Sequence, residues 1–136
     1  VKYKNICYCV YTKKLSWFEP RDFCFGLGPD VHLAEIKSAA LNTYLMPHLV
    51  ALFRTPRSVW LGASDIVTSG VWLWNSTGTS VENFTPTQWK EGHPAMKFTE
   101  RCVKDEGNEL KSFRWNTAHC TSVFAYMCQS PEVGKK

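Results

Sequence analysis

The sequence predicts one disulfide-rich domain of mixed helix and strand, on three observations. The chain has 136 residues, the size of a single domain and enough to bury most of its apolar surface. It holds six cysteines, Cys7, Cys9, Cys24, Cys102, Cys120 and Cys128, with no C-x-x-C pair. That pattern favours disulfides over a zinc ribbon or a thiol redox motif. Strand-like runs at both ends flank two stretches with helical spacing. Aromatic residues make up 14% of the chain and six are Trp, so the core should be built on large rings.

The run KYKNICYCVYTKKLS alternates and is rich in Tyr, Val and Ile, the pattern of a strand followed by a turn. In SWFEPRDFCFGLG, Ser16 followed three residues later by Glu19 is a capping box that opens a helix. Pro20 falls in the first turn, where loss of a backbone donor is tolerated. Trp17, Phe23 and Cys24 recur at helical spacing, and Gly26 or Gly28 ends the helix. HLAEI is a short extended piece. From Ser38 to Phe53, Ala39, Leu41, Leu45, Leu49 and Leu52 suggest a second helix, which Pro47 should kink or cut. SVWLGASD is a buried strand leading to a turn, and GVWLWNSTG is another. From Thr77 to about Arg101 the chain is long, polar and irregular, and such loops in small domains are usually functional. ERCVKDEG, SFRWNTAHC and FAYMCQ predict three closing strands, and SPEVGKK a mobile tail. One domain therefore spans residues 1–136, with its core at about 7–129 and the tail at 130–136.

Several functions are disfavoured at this level. A net charge of +4 with no basic run longer than two residues does not suggest nucleic acid. No apolar run approaches the roughly 18 residues that a membrane span needs. The sequons Asn75-Ser76-Thr77 and Asn83-Phe84-Thr85 lie in polar, turn-rich sequence, and with the cysteines they point to a secreted, extracellular glycoprotein. An opening on Val1 fits a leader already removed. There is no G-x-S-x-G elbow, H-E-x-x-H or phosphate-cradling glycine loop. Asp105 and Glu106 are adjacent acids, but neighbours on an extended segment face opposite ways. These features favour a binding module over an enzyme.

Eight short motifs stand in a telling order: LSWFEPRDFC, HLAEI, VWLGASD, VWLW, W-x-x-G-x-P from Trp89 to Pro94, ERCV, RWNTAHC and FAYMC. From about Cys7 to Gln129 the chain resembles a C-type lectin-like domain, most similar to invertebrate members such as the perlucin-like lectins of molluscs. The resemblance implies an α+β fold of two helices and two antiparallel sheets with a long irregular loop. It also implies bridges Cys24–Cys128 and Cys102–Cys120, a choice the six cysteines alone leave open among 15 pairings.

In sugar-binding members a calcium ion in the long loop bridges to vicinal hydroxyls. Its ligands are a Glu-Pro-Asn or Gln-Pro-Asp triplet, a Glu two residues before a Cys, and a Trp-Asn-Asp motif. The matching positions here are His93-Pro94-Ala95, Glu100 before Cys102, and Trp115-Asn116-Thr117. Calcium takes about six to eight oxygens. Ala95 offers no side-chain ligand, Thr117 a neutral hydroxyl, and His93 a nitrogen that becomes cationic in acid. No cofactor, calcium included, is therefore expected. The resemblance also implies a cis His93-Pro94 bond.

The expected function is glycan binding without calcium, by a candidate loop of His93, Pro94, Lys97, Glu100, Arg101, Arg114, Asn116 and His119. Such donors suit an anionic or N-acetylated sugar, with Trp89 available to stack. Trp89 and Trp115 also match framework positions of the family, which favours a core role for both. A zinc site from His93, His119 and Glu100 is a weaker alternative that no spacing supports. The competing function is a non-sugar module that binds a protein, a mineral or a membrane surface. Cys7 matches the second Cys of an N-terminal bridge found in longer members, and Cys9 has no counterpart. Two chains pairing antiparallel about Tyr8 would set Cys7 opposite Cys9 of the second copy, giving a disulfide-linked homodimer.

Overall fold

The first strand-like run divides in two. β1 (Lys2–Tyr3) turns back through Lys4 and Asn5 into β2 (Ile6–Leu15). Both turn residues have positive φ, 46° and 66°, as a two-residue hairpin of matching twist requires. The computed structural model describes residues 1–52, 58–83, 89–94, 99–107 and 113–131. The remaining elements are α1 (Phe18–Gly26), β3 (His32–Leu33), α2 (Ala39–Leu52), β4 (Ser58–Thr68), β5 (Val71–Trp74), a 3-10 turn (Val81–Asn83), β6 (Cys102–Gly107), β7 (Phe113–Ala118) and β8 (Phe124–Pro131).

The fold is α+β, stapled by the two expected bridges, Cys24–Cys128 and Cys102–Cys120. Its strands form one hydrogen-bonded network in the order β1-β2-β8-β4-β6-β7, with β3 beside β8 and β5 beside β4. The two expected sheets are thus joined through β4. It pairs in parallel with β8 at Val59↔Ala125 and Trp60↔Tyr126, and antiparallel with β5 and β6.

Tryptophans build the core. Trp17, Trp60, Trp72, Trp74 and Trp115 are all buried. Two of them also tie strands together, Trp17 Nε1 donating to the Leu61 carbonyl (2.9 Å) and Trp60 Nε1 to that of Leu15 (2.8 Å). Leu41, Leu45 and Leu49 of α2 close one side of this core, and each buried leucine is worth about 1.5–3 kcal/mol. That burial explains why Pro47 does not break α2, which runs unbroken from Ala39 to Leu52. Pro47 and Thr43, whose carbonyl the proline leaves without its helical donor, are both exposed. Ser38 opens α2, its Oγ accepting from the Leu41 N–H at 3.0 Å. At α1 the expected capping box is absent. The Ser16 hydroxyl meets the Glu19 carboxylate at 3.4 Å, and the Glu19 N–H donates to the Ser16 carbonyl at 3.1 Å.

Gly62 explains the small residue in VWLGASD. A Cβ there would lie 2.7 Å from the Leu33 carbonyl oxygen, because β4 and β3 approach closely. Gly62→Ala is expected to cost about 1–3 kcal/mol in chemical denaturation, the usual range for overpacking. An unchanged midpoint would mean that β3 yields freely.

Two boundaries move. Ser130 and Pro131 belong to β8, paired with Cys7 and Ile6, so ordered pairing extends outward to Lys2 and Pro131 rather than stopping at Cys7 and Gln129. Residues 132–136 of the expected tail lie outside the described set. The strand pairing expected for a homodimer is also overturned. The Tyr8 N–H donates to the Val1 carbonyl (2.7 Å) and the Val1 amine donates to the Tyr8 carbonyl (3.0 Å), so the edge of β2 at Tyr8 is already occupied.

Candidate functional site

The site lies where the long loop meets β6 and β7. Those strands pair with Val103 opposite Thr117, Lys104 opposite Asn116, Asp105 opposite Trp115 and Glu106 opposite Arg114. Trp89 enters beside Trp115, and the Lys90 N–H donates to the Trp115 carbonyl at 2.9 Å. A turn follows, in which the His93 N–H reaches the Lys90 carbonyl (2.9 Å) and the His93-Pro94 bond is cis.

His93 is the junction. Its Nδ1 lies 3.1 Å from both the backbone nitrogen and the Oγ1 of Thr117. The Thr117 N–H donates, so Nδ1 is the acceptor and the ring proton sits on Nε2. Partial burial, then the Lys90 and Lys104 ammoniums, hold its pKa below the usual 6.5, against the pull of Glu100 and Glu106. The imidazole is therefore neutral at neutral pH and fastens the loop to β7, rather than offering a cationic donor.

Beside it stands a charged cluster absent from the sequence-level site. Glu106 Oε1 lies 2.6 Å from Lys104 Nζ, and its Oε2 3.4 Å from Lys90 Nζ. Burial pushes the Glu106 carboxyl up, but the two lysines outweigh it and hold the pKa below the ordinary range. Lys104 also reaches Ser58 Oγ at 2.9 Å and sits over the Phe124 ring. Lys104 and Glu106 are two residues apart on β6 and so share a face, a local signal in the sequence, whereas Lys90 joins them from the loop.

The other expected residues divide. Glu100 falls in the same neighbourhood as His93, while Asn116 is buried on β7 with its amide donating to the Arg114 carbonyl at 3.1 Å. Arg101 is committed elsewhere. Its Nε meets Asp65 Oδ1 at 3.0 Å and its Nη2 the Asp65 carbonyl at 2.7 Å, locking the start of β6 to the β4–β5 hairpin. Arg114 and His119 are exposed at opposite ends of β7. Ala95 and Lys97 lie outside the described residues. Trp89 is half-buried against Trp72 and Trp115, with Nε1 donating to Glu82 at 2.9 Å, so it packs as framework. Asn75 is exposed on the turn after β5, open to modification.

These side chains do not fit calcium. At the family's ligand positions the chain carries one carboxylate, Glu100, while His93 Nδ1 is taken by an N–H and Ala95 has no donor. Among the described residues, no group of three His, Cys, Asp or Glu is placed to hold a metal, His93, His119 and Glu100 included.

Behind the site lies a polar anomaly. Asp105 is fully buried opposite Trp115, and neither of its carboxyl oxygens has a hydrogen-bond partner. Burial pushes its pKa up to about 7, against the opposing pull of Arg114. Glu106 next to it faces the charged cluster, so the two acids do point opposite ways.

Comparison with known proteins agrees with this architecture. Residues 13–130 match the Lectin C-type domain. The chain is 28% identical over 131 residues to Perlucin of Haliotis laevigata, covering 96% of this chain and 79% of that one. It is 27% identical over 126 residues to C-type lectin BML-1 of Bungarus multicinctus, covering 92% and 77%. Among solved structures, C-type lectin CEL-I from Cucumaria echinata superposes with a TM-score of 0.82 at 20% identity, covering 97% of this chain and 94% of that one. Herring type II antifreeze protein superposes at 0.77 with 25% identity, covering 96% and 94%. The family match spans most of the chain and agrees with the bridges, the cis proline and the branched sheet: the chain belongs to the C-type lectin domain family.

Proposed function

We propose that this chain is an extracellular, non-enzymatic binding domain that recognises carbohydrate without calcium. The observation that carries the metal-free part is the His93–Thr117 contact. A neutral imidazole spans the gap between loop and strand where relatives of the sugar-binding type would need a cation, so the loop has a fastening of its own. The polar groups grouped with it are Glu100, Lys90, Lys104 and Glu106, a mixed set suited to hydroxyl and acetamido groups. An anionic sugar is less favoured than the sequence suggested, because Arg101 is spent on Asp65 and both cluster lysines on Glu106. Secretion is supported by the two disulfides and the exposed sequon at Asn75. Among the described residues no helix is long and apolar enough to cross a membrane.

A second reading is a non-sugar module, which the exposed hairpin tip of Ile66, Val67 and Val71 favours, because it offers an apolar contact beside the Arg101–Asp65 lock. The homodimer through Cys7 and Cys9 has lost its strand pairing and is not part of this proposal.

A glycan array read in calcium and again in chelator separates the readings. Equal binding to the same sugars in both is the expected result, and no binding in either favours the non-sugar module. In parallel, millimolar calcium should leave the melting temperature unchanged, since an ion that does not bind the native state cannot stabilise it. A rise of several degrees would refute the metal-free site.

A further inference from the structure

Cys9 stands directly opposite Cys128 in the β2–β8 ladder. Because Tyr8 turns its backbone groups to Val1, those of Cys9 face β8, which makes Cys9 and Cys128 a hydrogen-bonded pair. Side chains of such a pair point to the same face, and Cα atoms about 5.5 Å apart are within the span of a disulfide. Cys128 already carries a disulfide to Cys24. Cys9 is an exposed free thiol, whereas Cys24, on α1, is wholly buried. Cys9 and Cys128 also share the wall of an open cavity of about 490 Å³, bounded by the Leu27–Val31 loop, Tyr11 and Pro131. A free thiol thus lies in solvent contact, across one strand spacing from a bridge sulfur.

We propose that Cys9 is an internal nucleophile toward the Cys24–Cys128 bridge, so that this domain has a second disulfide isomer. The Cys9 thiolate attacks Cys128 Sγ, the Cys9–Cys128 bond forms, and the Cys128–Cys24 bond breaks. Cys24 leaves as a thiolate and takes up the proton that Cys9 gave away. One disulfide and one thiol stand on each side of the reaction, so no oxidant or reductant is needed. The isomer staples β2 to β8 and leaves α1 held by packing without a covalent tie, through buried Pro20 and Cys24, the Phe23 ring against Tyr11 and Tyr126, and Trp17 at its start. Phe18, Phe23 and Phe25, already partly exposed on α1, then belong to a helix without a covalent tether. Cys7 lies two residues away on the same strand but faces Ser130, so it has no bridge to attack directly.

The test is peptide mapping without reduction. The folded chain is held in mildly alkaline buffer, quenched in acid, alkylated after denaturation, digested and read by mass spectrometry. The wild type is expected to yield a Cys9–Cys128 peptide together with alkylated Cys24, forming about tenfold faster per pH unit below the thiol pKa. Cys7→Ser should behave like the wild type, and Cys9→Ser should show only Cys24–Cys128. If Cys24 is alkylated equally in the wild type and Cys9→Ser, breathing of the bridge explains the labelling and the proposal falls. It also falls if Cys9 alone is alkylated at every time point, or if its only product is a bridge between two chains.

Discussion

Asp105→Val is expected to stabilise the domain at neutral and alkaline pH and to remove most of its pH dependence between about pH 4 and 7. The carboxyl has an ordinary value of 3.8 in the unfolded chain and about 7 in the folded one. Between those values the native state keeps a proton that the unfolded chain has released, so stability falls as pH rises and levels off above about 7. A difference of about three units corresponds to about 4 kcal/mol lost between acid and neutral pH. Valine suits a strand position and needs no hydrogen bond, so the variant's gain should be about 4 kcal/mol larger at about pH 8 than at about pH 4. Urea denaturation at both values measures it. Equal pH dependence in the two proteins would show that the Asp105 charge is compensated in the folded state. His93 contributes in the opposite sense: its lowered pKa means that the stability it brings is present above 6.5 and lost as acid protonates it.

Removing the Cys24–Cys128 bridge is expected to cost 2–5 kcal/mol, the usual range for a native disulfide of a small domain. The residues it joins are 104 apart in sequence, so the bridge constrains most of the unfolded chain. The double variant Cys24→Ala, Cys128→Ala is the proper test, since a single change leaves a thiol that can pair with Cys9. A fall in melting temperature of roughly 10 °C or more should follow, consuming much of a typical stability of about 5–15 kcal/mol. An unchanged denaturation midpoint would mean that α1 is held by packing alone.

How much of this was legible in the sequence depends on whether the signal was local. Helix α1 and most of the strands were readable, because spacing and backbone preference act over a few residues. The resemblance supplied the bridge partners, which spacing could not. Local rules failed where distant partners decided the outcome. Pro47 survives in α2 because leucine burial outweighs the lost backbone bond. At the site, Arg101 was assigned to the loop because Asp65, its partner 36 residues earlier, is invisible from Arg101's own neighbourhood. His93 lies beside β7, but nothing local says that the Thr117 N–H will meet its ring and make Nδ1 an acceptor. Asp105 was rightly set facing away from Glu106, yet its unpartnered burial follows only from the register with Trp115.

The position of β8 constrains how the domain can be made. It is the last of the described strands, yet it lies in the interior of the sheet, flanked by β2 and β4 and capped by β3. A ribosome releases the chain from its N-terminus, so β2 and β4 emerge with their inner edges unpaired and wait for the final segment. The bridge of α1 has the same timing, since Cys128 appears after nearly everything else. Completion of the domain therefore waits on its last described strand and is dominated by contacts remote in sequence, which places it among slow folders. Until that step the nascent chain carries open strand edges and unpaired thiols together, a combination that calls for chaperone cover and controlled oxidation in the compartment where it is made.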